Sequence, residues 1–478
     1  MTIPISHWIG GAPAVSHATT YRDRTNPSQP DDLVTVLPIG TEADVGAAVE
    51  AAESALARWR GLTGPARADA LHRWGDAIAA RADELTAAIV LEVGKPIGEA
   101  RGEVARAVAI CRFYAGEAVR DSGEVIPSQF GDALQFTVRD PLGVVALITP
   151  WNFPVAIPLW KAAPALAFGN TVVLKPSELS SGVARLLAET SAAVLPPGVF
   201  NVVHGDGSTG AALVAHPGVR GVSFTGSAAV GASVRAAASA RGIPVQAEMG
   251  GKNAVVVLAD ADVRRAAHLT AAGAFRFAGQ KCTATSRAIV LDAVRDAFLT
   301  ALTEEMRALP LGPVTDPASA IGPLVTEAAR ARTYAALAAH PAERVAGGML
   351  PDDPRWRVGH WMAPTVVAVD AAEHPLAQQE LFAPVLTVLG AGDVDHAVAL
   401  ANGTPFGLSA SVFTRDLASA IAWTRRIEVG LVRVNGDTTG VDPHAPFGGM
   451  KASGSGGREQ GRAARAFYTE SRTIQIHP

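Results

Sequence analysis

The sequence predicts an α/β fold that is built around parallel sheets and divided into at least two large lobes. Short apolar runs alternate with helical stretches after Gly143, which is the pattern of βαβ units. Glycine and proline follow these runs, as expected where strands end in loops. At 478 residues the chain is also too long for one ordinary core, since domains cluster near ~100–200 residues.

The composition is that of a globular protein and excludes several classes of partner. Hydrophobic residues make up 48% of the chain and charged residues 18%, which suits a large buried core. A formal net charge of -4 gives no general attraction to nucleic acid or anionic membranes. Residues 1–15 lack the pattern of a secretory signal, and prolines interrupt the apolar stretch 141–174. We expect a cytoplasmic protein that binds neither nucleic acid nor membrane.

Cysteine and histidine usage predicts no metal site. The two cysteines, Cys111 and Cys282, are too few for a disulfide framework or a cysteine-rich zinc site. The 12 histidines are scattered without a close H-x-H or H-x-x-x-H pair. A cysteine in such a chain can instead be kept for its reactivity.

The first third is predicted to be mainly helical after a short irregular arm. Thr41 and Asp44 form a capping box for a helix that runs through Trp59. A second helix begins near Ala66, and Gly94 lies where a left-handed C-cap would end it.

Five strands of a parallel sheet follow, and ligands are expected at their carboxyl ends. The predicted strands are 144–149, 171–175, 199–203, 222–225 and 245–248. A second α/β lobe contains helices at 263–277 and 294–309 and a strand at 431–435. The segments 124–138 and 466–476 are β-prone without a helical period, which is typical of exposed arms that pair subunits.

Cys282 lies in the segment F-A-G-Q-K-C-T-A-T-S-R, residues 277–287. Small neighbours let backbone N–H groups approach both the sulfur and an oxyanion formed beside it, and Lys281 would favour the thiolate if it points inward. The alternative is a buried structural cysteine.

Glu248 ends a strand and is followed by two glycines in Q-A-E-M-G-G-K, residues 246–252. The glycines leave room for the carboxylate to swing, as a general base must. The alternative is a solvated cap or an ion-pair partner.

Asn152 lies between two aromatic residues in T-P-W-N-F-P, residues 149–154, after the first parallel strand. Its amide could donate to a developing oxyanion from a loop that prolines hold rigid. The alternative is an ordinary asparagine turn.

F-T-G-S-A-A-V-G, residues 224–231, turns from a strand into a helix. Its glycines are too far apart for G-x-G-x-x-G, but a helix N-terminus still offers N–H groups to a phosphate. A plain βα turn has the same appearance.

These motifs resemble those of the aldehyde dehydrogenase superfamily, and they follow the family's order over nearly the whole chain. The matching segments are P-W-N-F-P (150–154), L-K-P-S-E (174–178), F-T-G-S (224–227) with Gly231, E-M-G-G-K (248–252), G-Q-K-C (279–282), Q-E-L-F-A-P-V (379–385), N-G-T-P-F-G-L-S-A (402–410) and P-F-G-G-M-K-A-S-G (446–454).

The resemblance implies NAD(P)-dependent oxidation of an aldehyde to the acid. Cys282 would attack the aldehyde, and Asn152 with the Cys282 backbone N–H would hold the oxyanion. After hydride passes to nicotinamide, Glu248 would activate water against the thioester. A CoA-acylating semialdehyde dehydrogenase of the same fold and a non-catalytic scaffold are the alternatives. A CoA-acylating enzyme has no use for Glu248 as a base for water. A non-catalytic scaffold should have lost Cys282, Glu248 or Asn152, and all three are present.

The resemblance also implies the cofactor site. Lys175 and Glu178 would bind the adenine-side ribose, Ser227 would meet the pyrophosphate, and Glu380 would bind the nicotinamide ribose. A carboxylate beside the ribose repels a 2′-phosphate, so NAD is favoured and NADP remains open. The other residues expected at this site are Trp151, Thr225, Gly226, Gly231, Gly250 and Phe382.

The family's architecture implies a Rossmann-type cofactor domain, an α/β catalytic domain and a small β arm. We assign residues 1–122 and 142–250 to the cofactor domain, 251–440 to the catalytic domain, 123–141 and 466–478 to an oligomerisation arm, and 441–465 to a segment that returns to the cofactor domain. A homodimer or homotetramer is expected.

A narrower resemblance concerns the substrate. The segments 152–161, 438–449 and 458–469 are similar to the α-ketoglutaric semialdehyde dehydrogenase branch. Three cationic residues, Arg276, Lys281 and Arg287, are also close to Cys282 in sequence. We therefore expect an aldehyde with a distal carboxylate, such as α-ketoglutaric or succinic semialdehyde. The alternative is that these cations face solvent or bind neighbouring carboxylates.

Overall fold

The computed structural model describes residues 4–120 and 123–478. Residues 1–3 and the predicted end of the first cofactor-domain segment at residue 122 lie outside the described residues. The helices are α1 (Glu42–Arg60), α2 (Gly64–Ala80), α3 (Ala82–Val93), α4 (Ile97–Glu117), α5 (Ala156–Ala167), α6 (Ser181–Ser191), α7 (Gly207–Ala215), α8 (Ala228–Ala240), α9 (Val263–Phe275), α10 (Arg295–Ala308), α11 (Glu327–Ala339), α12 (Pro375–Gln378), α13 (Val394–Asn402), α14 (Leu417–Thr424) and α15 (Ala464–Tyr468).

The strands form two large sheets and three small ones. They are β1 (His7–Ile9), β2 (Ala12–Ala14), β3 (Tyr21–Asn26), β4 (Gln29–Pro38), β5 (Val125–Ile126), β6 (Leu134–Pro141), β7 (Val144–Ile148), β8 (Thr171–Lys175), β9 (Phe200–Val202), β10 (Val219–Thr225), β11 (Val245–Glu248), β12 (Ala254–Val257), β13 (Arg287–Leu291), β14 (Glu343–Gly347), β15 (Thr365–Ala368), β16 (Val385–Ala391), β17 (Phe406–Gly407), β18 (Ser409–Phe413), β19 (Leu431–Val434), β20 (Met450–Lys451), β21 (Gly454–Ser455) and β22 (Thr469–Ile476).

The first large sheet has eight strands in the order β2-β1-β9-β8-β7-β10-β11-β21. The five from β9 to β11 are parallel, and antiparallel strands close both edges. Every residue of β7 and β8 is buried, as expected where helices cover both faces of a parallel sheet. The five predicted strands are the five parallel ones, so the predicted parallel sheet is confirmed.

The second large sheet has seven strands in the order β14-β15-β16-β13-β12-β18-β19. Only β14 runs antiparallel to its neighbour. Short β21 belongs to the first sheet, where it pairs with β11. The chain therefore returns near its end to the sheet that it formed first.

A separate three-stranded sheet joins the two predicted arms in the order β22-β6-β5. Strand β22 pairs with β6 over eight residue pairs, from Thr469 with Pro141 to Ile476 with Leu134. The segment before β22 differs from the prediction, because Ala464–Tyr468 is helical and its last two residues are buried. Apolar side chains there pack into the core before the chain extends.

The amino-terminal third also differs from the prediction in two places. The short arm expected to be irregular contains the hairpins β1–β2 and β3–β4. The helix predicted from Ala66 to Gly94 is two helices, which meet at Arg81. The periodicity continues across this break, so the pattern alone could not reveal it. The capping box is confirmed, since Asp44 N donates to Thr41 Oγ1 at 3.3 Å and Thr41 N donates to Asp44 Oδ2 at 2.8 Å.

The described residues contain neither a candidate membrane span nor a candidate metal-binding cluster. None of the helices in residues 4–120 and 123–478 is long and apolar enough to cross a membrane. Within the same ranges, no group of three or more histidine, cysteine, aspartate or glutamate side chains could hold a metal ion.

Candidate active site

Parallel strands of the first sheet end at one edge, and predicted site residues follow them. Lys175, Thr225 and Glu248 are the last residues of β8, β10 and β11, and Asn152 lies in the loop after β7. The fold thus brings together four residues that are widely separated in sequence. Cys282 does not follow a strand of the first sheet. It lies in the segment between helix α9 and β13, which is a strand of the second sheet.

The backbone before Cys282 follows an unusual path. Phe277, Ala278 and Gly279 have φ values of 54°, 53° and 69°, in the left-handed region that residues other than glycine rarely adopt. After this turn, Asn253 Nδ2 donates to Cys282 O at 2.8 Å and to Ala284 O at 2.8 Å. The surrounding structure must hold such a backbone in place, which is common at functional sites.

The thiol of Cys282 is electrostatically disfavoured as an anion. Burial of the sulfur, together with the charges of Glu380 and Glu248, raises the pKa of Cys282 to about 12. The backbone N–H groups of Thr283 and of Cys282 itself act in the opposite direction. These N–H groups near the sulfur were expected from the small neighbouring residues.

The expected thiolate stabilisation by Lys281 is not supported. Its Nζ lies 2.9 Å from Glu99 Oε2, so the ammonium is bound by a carboxylate of α4. Sequence proximity to Cys282 suggested this role for Lys281, but the ammonium is paired with Glu99.

Asn152 is buried and contacts the segment that carries Cys282. Its Nδ2 donates to the carbonyl oxygen of Gln280 at 3.0 Å. An amide nitrogen carries two N–H groups, so one donor is left for another acceptor. The Oδ1 atom is buried and accepts no hydrogen bond from the described residues.

Glu248 is buried against the glycine-rich segment near the chain end. Its Oε2 accepts a hydrogen bond from Gly449 N at 3.1 Å, and Oε1 is without a hydrogen-bond partner in the described part of the chain. A side chain on Gly448 would come within 2.5 Å of Oε1, and φ at this glycine is +152°. Burial and, after it, the negative charge of Glu459 raise the pKa of Glu248 well above its usual value.

A buried ion pair lies beside Glu248, and the sequence did not reveal it. Lys161 on α5 binds Glu459, and its Nζ also donates to Ser223 Oγ at 2.9 Å. A lysine within an otherwise apolar helix was the available signal. Its partner could not be inferred, because Glu459 lies 298 positions further along the chain.

The predicted adenine-side residues lie together. Lys175 is buried, and its Nζ donates to Gly205 O at 3.0 Å. Glu178 Oε1 lies 3.8 Å from Arg22 Nη1, and Arg22 Nη2 donates to Asp206 Oδ2 at 3.1 Å. A cation from the amino-terminal hairpin therefore accompanies the carboxylate, which sequence reasoning did not anticipate.

The predicted phosphate turn leads into α8. Ser227 is the N-cap, and its hydroxyl accepts a hydrogen bond from Val230 N at 3.4 Å. Gly226 N donates to the Glu248 carbonyl, and Gly231 packs against Met249. Thr225 Oγ1 is buried with no partner among the residues described.

The predicted nicotinamide-side residues form one wall. Gly251 N donates to Glu380 Oε1 at 3.0 Å, and a side chain on Gly250 would collide with that carboxylate at 1.8 Å. Burial raises the pKa of Glu380 to about 7. Phe382, with φ of 53°, packs edge-on against Trp151 at 5.7 Å between ring centroids.

The three cations near Cys282 have different surroundings. Arg287 is buried and donates to the carbonyl oxygens of Lys252, Leu400 and Ala401, so it supports the backbone. Lys281 is paired with Glu99, as described above.

Arg276 is exposed and lines a cavity of about 480 Å³. Arg106 and Phe153, the residue after Asn152, line the same cavity. In the described ranges the side chain of Arg276 makes no hydrogen bond or ion pair, although its charge helps to lower the pKa of Glu99.

Comparison with known proteins identifies the family of this chain. The model of the aldehyde dehydrogenase family matches residues 15–474. An α-ketoglutaric semialdehyde dehydrogenase of Bacillus subtilis (strain 168) is 42% identical over 458 residues, covering 95% of this chain and 94% of that protein. An α-ketoglutarate semialdehyde dehydrogenase of Haloferax volcanii is 41% identical, covering 99% of both chains.

A solved structure shows the same fold. The crystal structure of an NAD-dependent aldehyde dehydrogenase from Sinorhizobium meliloti superposes with a TM-score of 0.95 at 36% identity, covering 100% of this chain and 95% of that chain. The fold and the site define an oxidoreductase that acts on aldehydes. The chain belongs to the aldehyde dehydrogenase family.

Proposed function

We propose that the protein oxidises a carboxylate-bearing aldehyde to the acid with NAD, through a covalent intermediate on Cys282. The observation that supports this most directly is that three segments of the chain meet at Cys282. The Asn152 amide donates a hydrogen bond to the segment that carries Cys282, and the charge of Glu248 helps to raise the pKa of the thiol. The Cys282 sulfur bonds the aldehyde carbon, while the thiol proton leaves to a base. The free N–H of the Asn152 amide donates a hydrogen bond to the oxyanion that forms.

The second half of the reaction needs water. When bound, NAD would supply the acceptor for the hydride, and the acyl group would then remain on Cys282 as a thioester. Glu248 then takes a proton from water as the water oxygen bonds the acyl carbon and sulfur departs. A buried base at this position favours hydrolysis over transfer of the acyl group to CoA.

The cofactor site has features that fit a dinucleotide. The carboxyl edge of a parallel sheet and the N-terminus of α8 suit the pyrophosphate, and Thr225 Oγ1 is a buried polar atom without a protein partner. We assign Lys175 and Glu178 to the adenine-side ribose, Ser227 to the pyrophosphate, and Glu380 to the nicotinamide ribose. The cofactor domain is then built on the eight-stranded sheet and the catalytic domain, 251–440, on the seven-stranded one.

Glu178 favours NAD over NADP, because its charge repels a 2′-phosphate. Arg22 weakens this preference, since its guanidinium lies near the same carboxylate. Initial rates with equal concentrations of the two cofactors test the assignment. Faster turnover with NADP would contradict it.

Arg276 is our candidate for the group that binds the distal carboxylate. It is the cation of the three that is left available, and it lines the cavity beside the Asn152 loop. The names of the two relatives point to the same substrate class. A charge-assisted bond is worth roughly 1.5–3 kcal/mol, or about a ten- to hundredfold advantage in kcat/KM.

A substrate comparison tests this proposal. We expect α-ketoglutaric and succinic semialdehydes to exceed hexanal and benzaldehyde in kcat/KM, and Arg276→Gln to remove most of that difference. Arg264→Gln is the matched control, because this arginine of α9 is exposed and pairs with Glu304 at 3.6 Å. If hexanal equals the semialdehydes in wild-type enzyme, the protein has no carboxylate-binding pocket.

We also propose a homodimer or homotetramer that forms through the β5–β6–β22 sheet. Large apolar side chains are exposed on this small sheet and its connecting loop, where a partner would cover them. They are Val125, Phe130, Leu134 and Ile476. Both cysteines are free, and a catalytic thiol must stay reduced, so we place the protein in the cytoplasm. Cell fractionation tests that location.

A further inference from the structure

Lys95 is a fully buried lysine that none of the steps above uses. It follows the left-handed C-cap Gly94 of α3, and its side chain has no solvent exposure. The Nζ atom lies 2.5 Å from Glu103 Oε2 and donates to the backbone oxygen of Asn152 at 2.5 Å. A buried ammonium is tolerated only where it is paired and hydrogen-bonded.

Its partner Glu103 holds the other end of the same loop. The second carboxylate oxygen, Oε1, accepts hydrogen bonds from Val155 N at 2.8 Å and Ala156 N at 3.1 Å. These N–H groups belong to the start of α5, where backbone donors have no partner within the helix. The ion pair therefore binds the backbone of the 152–156 loop at both ends.

Lys95 also contacts the segment that leads to Cys282. Its Nζ lies 3.9 Å from the ring centroid of Phe153 and 4.6 Å from that of Phe277. Phe277 begins the left-handed turn before the nucleophile. Attraction between an ammonium and aromatic rings thus connects the loop of the oxyanion donor with the loop of the thiol.

We propose that Lys95 and Glu103 are a positioning pair for the reaction: they fix the Asn152 loop, and through it the amide that receives the oxyanion. The proposal rests on the role of Asn152 proposed above. Loss of one oxyanion donor lowers rates by about 10²–10³, and a displacement of about 1 Å can lower them by about 10². A pair that only stabilised the fold would have no such effect on the folded enzyme.

A double-mutant cycle with Asn152 separates positioning from stability. The rate constant of the pre-steady-state NADH burst is measured for wild type, Lys95→Met, Asn152→Ala and the double variant, well below their melting temperatures. We expect Lys95→Met to slow the burst about 10- to 100-fold in the wild-type background. In the Asn152→Ala background, where the positioned donor is gone, it should slow the burst less than about threefold.

Two further variants support the comparison. Glu92→Gln is the matched control, because Glu92 is another buried carboxylate that accepts two backbone N–H bonds at the start of a helix, from Gly182 and Val183. It should lower the melting temperature and leave the burst rate within about twofold at saturating NAD. Glu103→Gln replaces Lys95→Met in the cycle if the latter does not fold, with the same expected pattern.

The outcomes distinguish the two proposals. The positioning role is wrong if Lys95→Met slows the burst equally in the wild-type and Asn152→Ala backgrounds. It is also wrong if Lys95→Met alone leaves the burst rate at the wild-type value. Neither result affects the proposed role of Asn152. If Asn152→Ala itself leaves the burst unchanged, Asn152 is not the oxyanion donor. In that case the proposed role of Asn152 is wrong, and the positioning role is wrong too because it depends on Asn152.

Discussion

At the scale of single residues, the surroundings of the proposed nucleophile, Cys282, and of the proposed base, Glu248, favour their neutral forms. The pKa of Cys282 is raised to about 12, and that of Glu248 is raised well above its usual value. The neutral form of each group is therefore favoured, and in the proposed mechanism the Cys282 thiol loses its proton as it attacks. Proton movement and bond formation are consequently expected to be coupled in this site.

Cys282→Ala should abolish NADH formation, because no other thiol can form the thioester. NAD binding, followed by fluorescence quenching, should remain within about twofold of wild type. Cys111→Ala is the control, since Cys111 is fully buried in α4 and burial raises the pKa of its thiol to about 12. It should retain turnover and lose some stability. More than a small fraction of wild-type kcat in Cys282→Ala would exclude covalent catalysis by this residue.

Glu248→Gln should slow steady-state turnover more than the first hydride transfer, so that a burst of NADH persists. Because burial raises the pKa of Glu248, the carboxylate form is favoured as the pH increases, and wild-type kcat should fall as the pH is lowered. This acid limb should disappear in the variant. Equal losses in burst and turnover would instead assign Glu248 to activation of the thiol.

At the scale of elements, the strands and the site loops could be predicted, but contacts between distant elements could not. Five parallel strands followed from their apolar runs. Glu248 and Asn152 were singled out by motifs at strand ends, and Cys282 by its small neighbours in the segment before β13. The pair Lys161–Glu459 joins residues that are 298 positions apart, so periodicity and spacing contain no information about it. Lys281 shows the reverse case, since a position next to the nucleophile did not determine where its side chain points.

The small sheet of β5, β6 and β22 supports a prediction about assembly. Removing residues 470–478 deletes most of β22 and should convert the proposed dimer or tetramer to smaller species in light scattering. The truncation begins after Thr469 because Phe467 and Tyr468 are buried, and a larger deletion would damage the core. An unchanged mass with an intact circular dichroism spectrum would show that the arm does not hold the subunits together.

At the scale of the whole molecule, Glu380 makes the stability of the cofactor-free protein depend on pH. Its pKa is raised by burial from 4.5 to about 7 in the folded state. Because the pKa of Glu380 is higher in the folded than in the unfolded state, protonation of Glu380 contributes to the free energy of unfolding. This contribution is fully present below pH 4.5 and is lost as the pH rises to about 7. Glu380→Gln cannot titrate, so the variant should lose less stability than wild type between pH 5 and pH 8. Urea unfolding at the two values measures this, and parallel changes in both proteins would contradict it.

The glycine segment that holds Glu248 has a consequence for synthesis on the ribosome. The carboxylate receives its hydrogen bond from Gly449, and β21 pairs with the strand that carries Glu248. These residues are translated about two hundred positions after the base itself. The five parallel strands and Cys282 are therefore all translated before the residues that complete the surroundings of Glu248. The proposed base can reach its final environment only when translation is almost finished.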